Sequence, residues 1–492
     1  MKFLLDTNII IPAEPTELEN IELGTPLITE LLRRFNEGQQ QYYIHSASIQ
    51  ELSGDKNKKR WQMREVLLDK YPLLPSPPGF TKKIQDSLSI ATLNKHDQID
   101  LTLLSAVDAD AVDYLVTNDV ALHKKAAQLG LASRVATPDE AILIIRSLFP
   151  VIPFPPPAVQ SRYAHDIDLE DPIFDSFRLD YQEFDEWFRK CKLQHRPVWT
   201  IEPDIGKIGG ICIIKPNDAP EYEGMPEPCL KICSFKISEN WRGYRFGELL
   251  LKTIFDYADQ NQQASIYITT FEKQVELLNL LNNFGFQIIS TSNRGECVLL
   301  KMLKFSDEEY SVLTPLEFNI KFGPNQVKFD NANSFLIPIV PKYHKILLPE
   351  AEAQLELLPG KHPFGNGIRK AYLCHSNIRK IALGDIVFFY RSGIQSGVTT
   401  YGVVEDIIVS SNPDQIARAV GKRTVYTYPE IEGMCKKGEV LVVLFRLSRS
   451  NTTTISLKAL IDQNIIKKAP QSIASLSFKA AIWLKEQIIK QP

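Results

Sequence analysis

The stretch Glu239-Asn-Trp-Arg-Gly-Tyr-Arg-Phe-Gly-Glu-Leu-Leu-Leu-Lys252 decides how the middle of this chain folds. An apolar run, Leu230–Phe235, precedes it and reads as a buried strand. An amphipathic pattern follows, with Leu249, Leu250, Ile254, Phe255 and Tyr257 on one helical face. A strand, a glycine-containing loop and a helix N-terminus together aim several backbone N–H groups at one point, which is the make-up of a phosphate site. The residues at that site are Arg242, Gly243, Arg245 and Gly247.

Around this stretch the chain divides into segments. At 492 residues, domains of about 150 residues each suggest three. Phe149-Pro-Val-Ile-Pro-Phe-Pro-Pro-Pro157 has no periodicity and reads as a stiff connector. Residues 305–334 are polar and read as a second connector. The domains are therefore expected at 1–150, 158–305 and 335–492. The overall charge of −3 hides net charges of −4 for residues 1–150, −8 for 151–335 and +9 for 336–492. A polyanion footprint belongs in the last third. No apolar run approaches the roughly 20 residues needed to span a bilayer, and no secretory signal is read at the N-terminus. The seven cysteines are scattered without a CxxC pair, so reduced thiols in a cytoplasmic protein are expected.

In the middle segment, Trp199–Ile201 and Gly210–Ile214 read as antiparallel strands. Ala264–Thr269 follows as a strand, Glu276–Asn283 as a short helix, Gly285-Phe286 as a turn and Cys297–Met302 as a last strand. This order resembles the GNAT N-acetyltransferases over roughly residues 170–303. Arg242-Gly-Tyr-Arg-Phe-Gly247 matches their pyrophosphate loop, except that Arg245 takes the place of the central glycine. The resemblance implies acetyl-CoA as cofactor, held by Cys233, Phe235, Ile237, Arg242, Gly243, Tyr244, Arg245, Phe246 and Gly247. The family's usual general-acid tyrosine falls at Leu281, a departure, which leaves Tyr244, Tyr267 and Ser265 as other hydroxyls and Glu272 as a candidate base.

In residues 1–150, Phe3-Leu-Leu and Asp113-Tyr-Leu-Val read as buried strands, each ending in a carboxylate. Carboxylates at the C-terminal tips of parallel strands face the crevice where α/β proteins place their sites. Leu-Leu-Asp-Thr-Asn at 4–8, Ser-x-x-x-x-Glu at 46–51, Asp-x-x-x-Leu-x-Ala at 100–106 and Leu-Val-Thr-Asn-Asp at 115–119, in this order, resemble the PIN-domain nucleases. The resemblance implies a ribonuclease in which Asp6, Glu51, Asp100 and Asp119 are both catalytic residues and ligands of Mg²⁺ or Mn²⁺, with Asn8 and Thr117 in support. Four carboxylates converging without a lysine or arginine would repel one another, and a hard divalent cation would relieve that conflict.

In the last segment, Leu383-Gly-Asp-Ile-Val-Phe-Phe-Tyr-Arg391 and Tyr401-Gly-Val-Val-Glu405, among short strands, resemble the PUA-like small barrels of the ASCH and EVE type. The resemblance implies nucleic-acid binding. Arg369, Lys370, Arg379, Lys380 and Arg391 are the expected phosphate contacts, and Tyr390, Tyr372 and Tyr426 offer stacking surfaces. The expected fold class is α/β and multidomain, and the expected partner is RNA, tRNA included. A toxin or stress-response role with an antitoxin partner follows by association alone.

Overall fold

The computed structural model describes residues 1–13, 24–38, 40–54, 57–68, 71–87, 94–149, 159–203, 207–219, 222–238, 241–242, 244–349, 367–393 and 395–489. Among the described residues the architecture is mixed α/β with three sheets. Among the described residues no helix is long and apolar enough to cross a membrane, and all seven cysteines are free thiols.

The chain divides into two compact units, Met1–Val151 with Asn412–Lys422, and Ile152–Ser411 with Arg423–Pro492. The first holds a parallel four-stranded sheet in the order β2-β1-β3-β4. Its strands are β1 (Lys2–Leu5), β2 (Gln41–Ile44), β3 (Tyr114–Val116) and β4 (Val135–Ala136). Phe3, Leu4 and Leu5 of β1 and Tyr114, Leu115 and Val116 of β3 are all buried, as suits the inner strands of a parallel sheet. The helix Pro413–Val420 belongs to this unit. Its Arg418 pairs with Asp110 and Asp113, and the Tyr114 hydroxyl donates to the Arg418 carbonyl at 2.8 Å.

The second unit carries two sheets. Seven strands run in the order β10-β11-β9-β8-β7-β6-β5. They are β5 (Val159–Tyr163), β6 (Pro197–Ile201), β7 (Gly210–Asp218), β8 (Cys229–Ile237), β9 (Ser265–Thr270), β10 (Gln287–Thr291) and β11 (Cys297–Met302). All neighbours are antiparallel except β8 and β9. Six further strands run β13-β16-β15-β14-β12-β17: β12 (Ser334–Ile339), β13 (Arg369–Cys374), β14 (Ile386–Arg391), β15 (Gly397–Ser410), β16 (Val440–Ser456) and β17 (Ala474–Leu476). Bulges along β15 let this sheet curl. β13 and β17 form its two ends.

The connector expected at 305–334 contains two helices, Asp307–Val312 and Pro315–Phe322. Each begins with a capping box, Ser306 with Glu309 and Thr314 with Glu317, so their first N–H groups are satisfied locally. Within this unit, a polar side chain of the six-stranded sheet is buried against the segment that carries the seven-stranded one. Arg446 Nη2 donates to the Asn283 carbonyl at 2.9 Å, and its guanidinium lies 5.1 Å from the Phe284 ring.

Candidate functional site

β8 and β9 pair in parallel only from Cys229–Ile232 against Ser265–Ile268. Beyond that level β8 continues to Ile237 beside β7, and β9 continues to Thr270 beside β11. The two strands therefore part. The cause is local: Ser234 opposes Ile213 and Ile232 opposes Ile214, which leaves Cys233 as an extra residue. Such a bulge bends its strand. The parted edges expose backbone N–H and C=O groups to whatever lies between them, as an extended ligand requires.

The helix we label α1 (Phe246–Gln260) begins after the same end of β8. The N–H groups of Phe246, Gly247 and Glu248 open the helix, so none has an intrahelical acceptor, and the helix dipole adds positive potential there. Gly247 is closely packed. A Cβ there would lie 2.9 Å from Leu280 on helix α2 (Val275–Asn283) and 3.7 Å from the Phe235 ring. This strand split facing a helix start can hold a linear ligand with a diphosphate, and the residues fit the expected cofactor.

The expected cofactor residues divide on inspection. Arg242 pairs with Glu276 of α2 at 3.7 Å. Tyr244 packs with Trp241 and Phe246 at ring distances of 5.2 and 5.8 Å. Phe235 and Phe246 are core residues, so they support the site without lining it. Ile237 packs against the same core, and Cys233 receives an Arg196 Nη1 contact at 3.2 Å. Gly243 lies outside the described residues. Arg245 is the clear correction. Its guanidinium does not serve as an extra cation at a diphosphate, because it is buried against Glu248 and the Arg369 carbonyl.

The hydroxyls considered for the acid separate by position. Leu281 is fully buried in the core and carries no proton to give. Ser265 and Tyr267 sit at the paired end of β9, before the strands part; Ser265 bonds the Pro226 carbonyl and Tyr267 bonds Asp218. Glu272 is solvent-exposed. A pair that the sequence reading missed lies at the C-terminal end of β9: the Tyr181 hydroxyl donates to Glu296 Oε1 at 2.6 Å, and the Tyr181 ring is 5.8 Å from Phe271. Glu296 is 7% exposed and directly precedes Cys297, the partner of Thr270. Burial and then the adjacent Glu296 carboxylate push the Tyr181 phenol far up. The two residues are 115 apart in sequence, so no local pattern could join them.

In the first unit the four expected acids are brought into one electrostatic neighbourhood. Asp6 is buried and accepts bonds from Thr117 Oγ1 (2.6 Å), the Thr7 N–H (2.7 Å) and Asn8 Nδ2 (2.8 Å). Burial first, with Asp100 and Glu51 adding to it, pushes its carboxyl up to about 6 against these bonds. Glu51 accepts from Thr7 Oγ1 at 3.2 Å and meets His96 Nδ1 at 2.8 Å. Asp119 caps the helix Val120–Gln128 through the Ala121 and Leu122 N–H groups. Asp100 is held by Lys125 Nζ at 2.6 Å, and Lys125 also pairs with Asp97. The expectation of a quartet free of cations is therefore corrected. Among the described residues no group of three or more His, Cys, Asp or Glu could hold a metal ion. The arrangement does not fit Mg²⁺ or Mn²⁺, because an ammonium and a helix start already take up Asp100 and Asp119.

The expected nucleic-acid contacts are mostly interior. Tyr390 is buried on β14, as are Tyr372 and Tyr426 in the sheet core, so none offers a stacking face. Lys370 is fully buried and bonds the Leu347 carbonyl. Arg391 is buried and donates to the Gln395 carbonyl at 2.9 Å. Arg369 is ion-paired with Glu405 at 2.5 Å. Arg379 and Lys380 are exposed, with Arg379 beside Glu439 at 3.0 Å.

Comparison with known proteins matches residues 162–286 to the acetyltransferase (GNAT) family. No curated protein sequence matches the chain. Solved structures with local likeness include an ASCH protein from Zymomonas mobilis, at 15% identity over 31% of this chain and 92% of that one, with a TM-score of 0.24. Another is a GNAT family acetyltransferase from Elizabethkingia anophelis with acetyl-CoA bound, at 17% identity over 29% of this chain and 95% of that one, with a TM-score of 0.21.

Proposed function

We propose, from the match of residues 162–286 to the acetyltransferase (GNAT) family, that this protein is an acetyl-CoA-dependent N-acetyltransferase. The observation that carries the reading is the parting of β8 and β9 at the Cys233 bulge, facing the first turn of α1. Acetyl-CoA, when bound, supplies an acetyl thioester. The first-turn N–H groups of α1 hold the diphosphate, and the exposed edge of β8 aligns the arm that follows it. Glu296, buried and oriented by Tyr181, is the group we assign to take the proton of an acceptor amine. A structured RNA such as a tRNA with an aminoacyl amine is the acceptor class put first, because residues 336–492 carry a net +9 and leave Arg379 and Lys380 exposed.

The test is transfer of labelled acetyl from acetyl-CoA to tRNA, to free amines and to protein lysines. Label in one of these acceptors is expected. Glu296→Gln should slow transfer by about 100-fold while acetyl-CoA affinity stays within about twofold. No label in any acceptor would refute the enzyme reading.

One observation favours a second reading. Leu281 is fully buried where the family's acid tyrosine would stand, as suits a fold that binds the cofactor without transferring its acetyl group. Binding of acetyl-CoA without transfer would select this cofactor-sensing role. The ribonuclease expectation has no such support, since Lys125 occupies the acid cluster, and no hydrolytic step is derived from it.

A further inference from the structure

Arg245 stands at the position where the resembled loop has a glycine, and its backbone keeps the left-handed conformation that favours glycine, with φ of 58°. A non-glycine residue holds such a conformation only when its surroundings enforce it. Here the side chain is clamped. Arg245 Nε donates to Glu248 Oε2 at 2.9 Å, Nη2 donates to the same oxygen, and Nη2 donates to the Arg369 carbonyl at 2.8 Å. Glu248, in the first turn of α1, accepts the backbone N–H groups of Ile368 and Arg369 on Oε1 at 2.7 and 2.8 Å. These last residues open strand β13 of the C-terminal sheet. The approach is so close that a Cβ at Gly367 would lie 1.9 Å from Arg245 Nη2. Both charged side chains are buried, at 7% and 8% exposure.

The clamp is anchored on the far side as well. Arg369 donates to Glu405 through Nε at 3.0 Å and to Asn283, at the end of α2, through Nη1 at 2.9 Å. Glu405 also receives Arg423 at 2.9 Å. The two helices that border the strand split are thus both tied to one edge of the C-terminal sheet.

We propose that Arg245 and Glu248 are positioning residues through which strand β13 sets the acetyl-CoA site, so that cofactor affinity depends on the C-terminal sheet. The inference rests on the acetyltransferase reading above. Physically, the clamp keeps Arg245 in the left-handed region. That conformation fixes where α1 begins and where the N–H groups of Phe246, Gly247 and Glu248 point. Released from the clamp, an arginine backbone relaxes towards the right-handed region, and those donors turn away from the diphosphate. By linkage, acetyl-CoA must in turn stabilise the start of β13 by the same factor.

The test is a double-mutant cycle on the full chain, read by calorimetric titration with acetyl-CoA. Gly367→Ala leaves both domains' site residues in place and pushes only the flexible end of Arg245. It should weaken acetyl-CoA binding by about tenfold, within the usual range for coupled sites. Arg245→Gly removes both the clamp and the need for it, and gives the background in which the coupling to β13 is read. In the Arg245→Gly background, Gly367→Ala should change affinity by less than about twofold. Glu405→Gln, a near-isosteric change in the C-terminal sheet, should weaken binding several-fold in wild type and not in Arg245→Gly. Acetyl-CoA should also slow hydrogen exchange at the Ile368 and Arg369 amides. Wild-type affinity in both Gly367→Ala and Glu405→Gln would overturn the proposal. So would an equal loss in the two backgrounds, which is the mark of general destabilisation. A wild-type protein that fails to bind acetyl-CoA would instead refute the acetyltransferase reading, and this proposal with it.

Discussion

Asp6 and Glu248 are both buried carboxylates at the end of an apolar element, yet they are held in opposite ways. Asp6 has neutral donors around it and other carboxylates beyond them, and its proton affinity rises, to about 6. Glu248 meets a guanidinium and two backbone N–H groups. Burial alone would raise its carboxyl, but Arg245 and the β13 amides outweigh burial and hold it below the usual value. The first arrangement stores electrostatic conflict and the second resolves it. A carboxylate in conflict is available for a proton or a cation, whereas one so fully satisfied serves as a bolt between elements.

The largest expected effect falls on the bolt. Glu248→Ala should cost the second unit about 3–5 kcal/mol in urea unfolding, because it leaves the Arg245 charge buried without its partner. A loss below about 1 kcal/mol would erase the contrast.

The two acids should also oppose each other in pH dependence. The folded pKa of Asp6 lies above its unfolded value of 3.8, so its contribution is fully present below pH 3.8 and is lost as pH rises through about 6. That loss is roughly 3 kcal/mol. Asp6→Asn should remove this slope from the first unit, measured by unfolding in EDTA between pH 3.5 and 7 (a range of about one unit beyond the titration). Glu248 works in the other sense. Its folded pKa is lowered, so its contribution is present above its usual value of 4.5 and is lost as pH falls through the folded pKa. Glu248→Gln should flatten the acid limb of the second unit. Changes in slope of the same sign, each relative to wild type, would break the comparison.

A smaller effect is expected at Lys125, whose ammonium holds Asp100 and Asp97. Lys125→Ala restores like-charge repulsion in the acid cluster, so Mn²⁺ should bind at least tenfold more tightly than to wild type by calorimetry, an increment of about 1.4 kcal/mol. Unchanged or weaker Mn²⁺ binding would show that the ammonium is not what keeps a cation out.

Much of this fold is legible in the sequence. The apolar runs at 3–5, 114–116, 230–235 and 265–269 alternate or cluster as strands must, and the loop at 242–247 announces the start of α1. The helices of 307–322 were missed, although Ser306-x-x-Glu309 and Thr314-x-x-Glu317 are capping signatures within that polar stretch. The basic residues of the last segment misled. Lys370 and Arg391 lie on strands β13 and β14, and their charges are satisfied by backbone carbonyls, so their residue type did not reveal burial. The clamp on Arg245 was not legible for a related reason. Its acceptors and donors include the Arg369 carbonyl and the Ile368 and Arg369 N–H groups, which every residue possesses, and pairing across 120 residues leaves no local spacing. Only the arginine in a glycine position hinted that something must hold it.

The most direct measurement is a calorimetric titration of the full chain with acetyl-CoA, run beside Gly247→Val. The account predicts one-to-one binding with a dissociation constant between about 1 μM and 1 mM. It also predicts loss of binding in the variant, whose side chain at the start of α1 would be driven into Leu280 of α2. No binding heat from wild type at millimolar acetyl-CoA, or equal affinity in a folded Gly247→Val protein, would contradict it.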